Sequence, residues 1–251
     1  MSFSSWRDFE KFENDVKYKN RFMHSAEARD FLSNIKETLP ERERRLVSGS
    51  ILFRSQIGYE ERPFEGQVGI CGFPPERMKP IPNKACEGRA NPKGISYLYL
   101  SNEDNTSLSE LRPHIGQYIS LAQFRTNKDL KVVDCYSVKK HYTYLMCIFG
   151  PPLSQVDIGD AIWSMINDAF TKPVTNNETS TDYVTTQILA ELFKSNGFDG
   201  ACFKSGLGKG HNYILFDVDV ADLTNCKVME AKSISYKFSE CDDRYFGEYK
   251  K

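Results

Sequence analysis

Three polar side chains lie close together along residues 88–113, each in a different kind of element. Arg89 sits in Gly-Arg-Ala-Asn-Pro-Lys-Gly, residues 88–94, where glycines and proline mark a loop. Tyr99 lies in the β-branched and aromatic run Ile95 to Leu100, which reads as a strand bounded by Gly94 and Ser101-Asn102. Glu110 belongs to TSLSELRP, a short helix with Thr106 as its N-cap hydroxyl and Pro113 as its stop, one turn past the start. If strand and helix form one corner, guanidinium, phenol and carboxylate converge on one pocket. An arginine fork suits phosphate oxygens better than a lysine does. A fixed carboxylate offsets positive charge that develops during a reaction. Structural readings stand beside these: Tyr99 as a core aromatic on an alternating strand, and Glu110 as the surface partner of Arg112 or a lysine.

The 251 residues suffice for one large domain, or for one domain with a small appendage. With 40% apolar and 13% aromatic residues, a packed core is expected. A net charge of -1 argues against general affinity for nucleic acid, which normally leaves a basic excess. No apolar run reaches membrane-spanning length, and the start, MSFSSWRDFEKFE, is polar where a signal peptide is greasy. A soluble, cytoplasmic protein without nucleic-acid or membrane partners is expected. The seven cysteines are odd in number and lack a CxxC pair, so neither a disulfide framework nor a zinc site is expected. The four histidines are scattered, which argues against a metal.

The elements around the corner follow from periodicity. Residues 1–48 read as amphipathic helices, with Trp6, Phe9, Phe12 and Val16, then Phe22, Phe31, Leu32, Ile35 and Leu39 at mostly helical spacing. Pro40 separates them from ERERRLVSG, read as a solvated helix face in preference to a phosphate contact. Ser50 to Ile57 reads as a strand whose central Arg54 is, on local sequence alone, an exposed edge residue. Residues 58–88 hold five of the eleven prolines and read as one long loop, a lid leading directly into Arg89. Tyr118 to Phe124 and Leu130 to Asp134 read as successive strands of a hairpin. Residues 135–156 are ambiguous. Ile158 to Phe170 reads as a helix ended by Pro173, followed by a polar loop to Thr179.

A second helix, Tyr183 to Ser195, is expected to be capped by Ser180 or Thr181 and ended by Gly197. Gln187 within it reads as a solvated residue in preference to a cap for a loop of the pocket, and is a substrate-binding candidate on the second reading. Strands at Ala201 to Phe203 and Tyr213 to Phe216 flank Gly206 to Gly210. That run fits neither GxxxxGK[ST] nor GxGxxG opening a helix, so a turn is favoured over a phosphate cradle. Ser205, at a strand end, can hold its hydroxyl rigidly toward a pocket. A strand near Val228 to Tyr236 and a mobile charged tail, 237–251, complete the chain.

Taken in order, the strand bearing LFR, then GRANPKGISYLYLS, TSLSELRP and YVTTQILAELFKSNGFDGACFKS with HNYILFD, resemble the RES-domain family. That family is named for Arg, Glu and Ser residues and is known from bacterial toxin–antitoxin systems. The similarity covers residues 49–236, leaving 1–48 as a helical N-terminal extension. It places the family's arginines on Arg54 and Arg89, its aromatic on Tyr99, its glutamate on Glu110 and its serine on Ser205, with Asn212 at an accompanying polar position. Two departures stand out: Ala90 follows Arg89, and Ser55 follows Arg54, where the family often has aromatics.

The resemblance implies an α+β fold like that of ADP-ribosyltransferases, with mixed sheets and flanking helices. It also implies an enzyme that cleaves the nicotinamide–ribose bond of NAD⁺, with phosphate or water as acceptor and no cofactor. Glu110, Arg54 and Ser205 are then catalytic candidates, and Arg89, Tyr99 and Asn212 substrate-binding ones. A cognate antitoxin or a closed homo-oligomer is the expected restraint on such a toxin. The competing readings are an ADP-ribosyltransferase acting on a macromolecule and a non-catalytic module that binds NAD⁺ or ADP-ribose.

Overall fold

The computed structural model describes residues 3–64, 67–81, 84–172 and 180–235. Cys241, Pro173, most of the 171–179 loop and the charged tail lie outside that description.

Two helices open the chain, α1 (Asp8–Tyr18) and α2 (Ala26–Thr38). Ser25 starts α2 by accepting the Ala28 N–H at 3.1 Å, which satisfies one of the free donors of a helix start. A 3₁₀ turn, Leu39–Arg42, then leads into strand β1 (Glu43–Leu46). The expected solvated helix face in ERERRL is therefore an edge strand, paired antiparallel with β7 (Leu130–Asp134). Its charges suit that place, because charged side chains protect a free sheet edge from further pairing. Lys131 meets Glu43 at 3.0 Å and Arg44 meets Asp134 at 3.4 Å across this pair.

The remaining strands are β2 (Ile51–Ile57), β3 (Glu60–Phe64), β4 (Gln67–Cys71), β5 (Leu98–Ser101), β6 (Tyr118–Thr126), β8 (Gly200–Lys204), β9 (His211–Leu215) and β10 (Ala221–Glu230). The helices are α3 (Pro75–Met78), α4 (Asp104–Ser109), α5 (Tyr144–Phe149), α6 (Gln155–Thr171) and α7 (Val184–Ser195). Eight strands form one sheet in the order β1-β7-β8-β9-β5-β2-β6-β10, parallel only at β7–β8. The class is thus α+β, a large mixed sheet with flanking helices after a helical N-terminal segment.

Several expectations change. Residues 58–88 are not one loop: β3 and β4 pair as a separate hairpin, and Phe73 and Met78 are buried in the core. Proline hid the strand, yet Pro63 sits in a two-stranded ribbon, where the missing N–H is tolerated. β6 and β7 do not form a hairpin, because β6 already pairs with β2 on one side and β10 on the other. Thr106 is inside α4, and Glu103 is its N-cap. Glu110 is consequently at the helix end instead of within it, and Arg112 turns the chain with φ 48° ahead of Pro113. Helix α7 starts from a 3₁₀ turn at residues 180–183, with Tyr183 as N-cap and no side-chain cap bond.

One face of the sheet carries the helices. Phe12, Phe31 and Ile35 of the N-terminal pair share a buried cluster with Ile162 and Phe170 of α6, Phe193 of α7 and Ile214 of β9. The boundary expected at residue 49 falls between β1 and β2, two strands of the same sheet. Ile35 has no exposed surface. Ile35→Ala is expected to lower unfolding stability by about 2–5 kcal/mol, measured by urea denaturation followed at the sheet. An unchanged midpoint would mean that the N-terminal helices fold independently of it.

Candidate active site

β2 and β5 are sheet neighbours but share one registered pair, Phe53↔Ser101. Along this seam lies a cleft of about 440 Å³, within the size range of small-molecule sites. Residues from five elements line it: Phe53, Arg54 and Ser55 of β2, Tyr99, Leu100 and Ser101 of β5, Phe203 of β8, Asn212 and Tyr213 of β9, and Ser107 and Glu110 of the α4 segment. Glu87, Gly88, Arg89, Leu111 and Tyr183 complete the wall.

Arg54 is not the exposed edge residue that its local sequence suggests. Its Nη1 donates to the Tyr99 carbonyl at 3.2 Å, and its buried Nε has no hydrogen-bond partner among the described residues. No carboxylate pairs with it there, and burial pulls its pKa below the usual arginine value. A half-buried, incompletely bonded cation is favoured when something anionic completes it.

Glu110 supplies a carboxylate to the same cleft. Its Oε1 accepts from Ser205 Oγ at 2.7 Å and from Asn212 Nδ2 at 2.6 Å, and the alternative surface pairing with Arg112 does not occur. Oε2 has no partner among the described residues and is free to meet a ligand. Ser205 does not line the cleft. It is buried behind Glu110, and its Oγ also accepts the N–H groups of Leu207 at 3.1 Å and Gly208 at 2.9 Å. The glycines beside it serve packing instead of a phosphate. A Cβ on Gly208 would stand 2.5 Å from Thr106 Oγ1 and 2.8 Å from its Cα. Gly210 donates its N–H to that same hydroxyl at 3.1 Å, which ties the loop to α4.

The other candidates mainly shape the wall. Tyr99 Oη donates to Asn91 Oδ1 at 2.7 Å and accepts the Ala90 N–H at 3.0 Å, and burial pushes its pKa up to about 12. Gln187 is buried, against the solvated reading, and does not reach the cleft. Its Nε2 donates to the carbonyls of Gly88 at 2.9 Å and Asn91 at 3.2 Å, so it caps the loop from behind. Arg89 lines the cleft, yet its guanidinium donates to the carbonyls of Phe170 and Lys172 at the end of α6. A cation there complements the negative end of the helix.

Sequence reasoning assigned no site role to Ser101, Ser107 and Asn91. Ser101 was the most accessible of these, since strand alternation sets residues 99 and 101 on one face.

The tethered Glu110 carboxylate, the half-buried Arg54 guanidinium and an aromatic-walled cleft at the seam of an α+β sheet mark a candidate small-molecule site. The chain belongs to the RES-domain family, which matches residues 67–239. That span contains every candidate except Arg54, whose place at the site rests on the geometry. Among solved structures the fold is similar to a chain of the M. tuberculosis MbcT-MbcA toxin–antitoxin complex, with 11% identity and a TM-score of 0.44, covering 78% of this chain and 92% of that one. A search of curated proteins returns no match.

Tyr99→Phe strands the Ala90 N–H and Asn91 Oδ1, and is expected to cost about 1–3 kcal/mol in urea denaturation. It should also alter the alkaline response. The folded phenol pKa of about 12 lies above the ordinary 10.0, so its stabilising contribution is complete below the unfolded value. That contribution is lost as pH rises through the folded value. Tyr97, raised to about 12 by burial, adds a similar loss. Stability should therefore fall less steeply above pH about 10 in Tyr99→Phe than in wild type; equal slopes would contradict the assignment.

Proposed function

We propose that this RES-domain protein cleaves the nicotinamide–ribose bond of NAD⁺, passing the ADP-ribosyl group to phosphate or water. The observation that carries the reading is Arg54, a half-buried cation whose Nε is buried without a partner among the described residues, in the same cleft as a tethered carboxylate. The pyrophosphate of a dinucleotide is an anion suited to such a guanidinium.

The chemistry asks little more of the protein. When the C1′–N bond breaks, its electron pair returns to a ring nitrogen that was already positive. Nicotinamide departs neutral, so no general acid is needed and one carboxylate suffices, unlike the pair used in ordinary glycoside hydrolysis. Glu110 Oε2 would accept from a ribose hydroxyl, and the carboxylate charge would offset the positive charge growing on the ribosyl carbon. A phosphate or water oxygen then bonds to C1′; water releases its proton to solvent. Tyr99 and Phe53 give the nicotinamide an aromatic wall. Ser205 acts from behind, fixing Glu110, while Asn212 both fixes it and faces the cleft. A toxin role, restrained by a cognate antitoxin, follows from the family resemblance.

Mass analysis of purified protein with NAD⁺ tests the reading. Nicotinamide should appear with ADP-ribose, or with its phosphate adduct when phosphate is present. Intact NAD⁺ under both conditions would refute cleavage, and label appearing only on an added macromolecule would favour a transferase. Glu110→Gln keeps the shape and an acceptor for both donors, and should lower turnover about 10²–10³-fold with the fold intact. Arg54→Met removes a half-buried charge with no ion pair among the described residues. It is expected to leave stability unchanged or higher while raising KM for NAD⁺ at least about tenfold; clear destabilisation with a normal KM would make Arg54 structural.

A further inference from the structure

We propose that Ser101 is a positioning residue of this site: its hydroxyl holds the Asn212 carboxamide in the one orientation that delivers an N–H to Glu110. The inference rests on the reading of Glu110 as the working carboxylate. Ser101 belongs to β5 and stands opposite Asn212 in the β5–β9 register, and opposite Phe53 in the single β2–β5 pair. It is therefore the residue at which the seam begins. Ser101 Oγ donates to Asn212 Oδ1 at 2.6 Å, and Asn212 Nδ2 donates to Glu110 Oε1 at 2.6 Å.

The direction of this chain of hydrogen bonds is forced. A flipped amide would set its oxygen 2.6 Å from the Glu110 carboxylate, two acceptors with no hydrogen between them. With the amide nitrogen committed to Glu110, the oxygen must find a donor at the base of the cleft. Ser101 is the one it has among the described residues, and only 4% of Ser101 is exposed. Without that hydroxyl, Oδ1 is left facing an apolar methyl. The carboxamide then gains by turning its oxygen toward solvent in the cleft, which draws Nδ2 away from Glu110. Linked bonds of this kind also strengthen one another, so the loss extends to the second bond. Ser101 would thus influence Glu110 only through Asn212.

A double-mutant cycle of Ser101→Ala and Asn212→Ala tests this, read in two ways. NAD⁺ turnover should fall roughly three- to tenfold in Ser101→Ala. The second change should add little in the Asn212→Ala background. Independently of activity, the Glu110 carboxyl carbon can be followed by its NMR chemical shift in carbon-labelled protein, assigned with Glu110→Gln. Ser101→Ala should move that resonance when Asn212 is present and leave it in place when Asn212 is absent, since only in the first case does the carboxylate lose a donor. The other charged groups and phenols of the cleft (Arg54, Glu87, Arg89, Tyr99, Tyr183 and Tyr213) are the same in both arms, so their direct field cancels. Equal displacements in both backgrounds, or none in either, would overturn the proposal. If wild type leaves NAD⁺ intact, the functional reading fails, while the chemical shift still decides whether Ser101 holds the tether.

Discussion

One carboxylate oxygen receives hydrogens from two separate parts of the chain, and the site depends on that convergence. Glu110 Oε1 accepts from Ser205, just after β8, and from Asn212 on β9. Glu110 itself hangs from the end of a six-residue helix with no side-chain N-cap, an element too short to be rigid alone. What steadies α4 is the strand-connecting loop pressed against Thr106, and that contact tolerates no side chain at Gly208. The glycines therefore work through packing: they let the loop approach closely enough for Ser205 to reach the carboxylate.

The two arginines contrast in how their charge is met. Arg89 is supported by carbonyls at the end of α6, where the helix already presents partial negative charge. Arg54 has one carbonyl and an orphaned Nε, with no ion pair among the described residues. A protein seeking only stability would gain from an apolar side chain there, since a half-buried charge with an orphaned Nε carries a desolvation penalty. The penalty makes sense if binding, not folding, supplies the missing partner. By the same reasoning Arg89 contributes more to the position of the loop than to direct contact with an anion.

Much of this was legible from residue types, and the misses have identifiable physical causes. Tyr99 and Glu110 were placed at one corner because strand and helix signals met there, and Asn212 because it accompanies Ser205 in the family pattern. Thr106 looked like an N-cap because a hydroxyl before an apolar residue usually is one. Here its hydroxyl serves a loop about a hundred residues away, which no local pattern reveals. The hairpin of β3 and β4 was hidden by prolines that a two-stranded ribbon accommodates. Strand order was out of reach as well: local spacing made β6 and β7 partners, whereas long-range pairing with β2 and β10 leaves β6 no free edge. The half-buried position of Arg54 follows from that same order, since the seam between β2 and β5 exists only once the sheet is assembled.

The two departures from the family pattern can be read against this frame of contacts. Ala90 has no exposed surface and gives its N–H to the Tyr99 hydroxyl, so an aromatic at that position would have to displace the packed loop or turn outward. Ser55 meets Ser107 at 2.8 Å, hydroxyl to hydroxyl, on the cleft wall. An aromatic there would fill space that now belongs to two polar groups that can each donate or accept. Of the stacking surfaces that remain, Phe53, Tyr99, Phe203 and Tyr213 come from the sheet strands and Tyr183 from the turn before α7. The cleft thus combines a rigid aromatic wall with a hydrogen-bonding patch beside Arg54, where an oxygen-rich group gains more than a flat ring does.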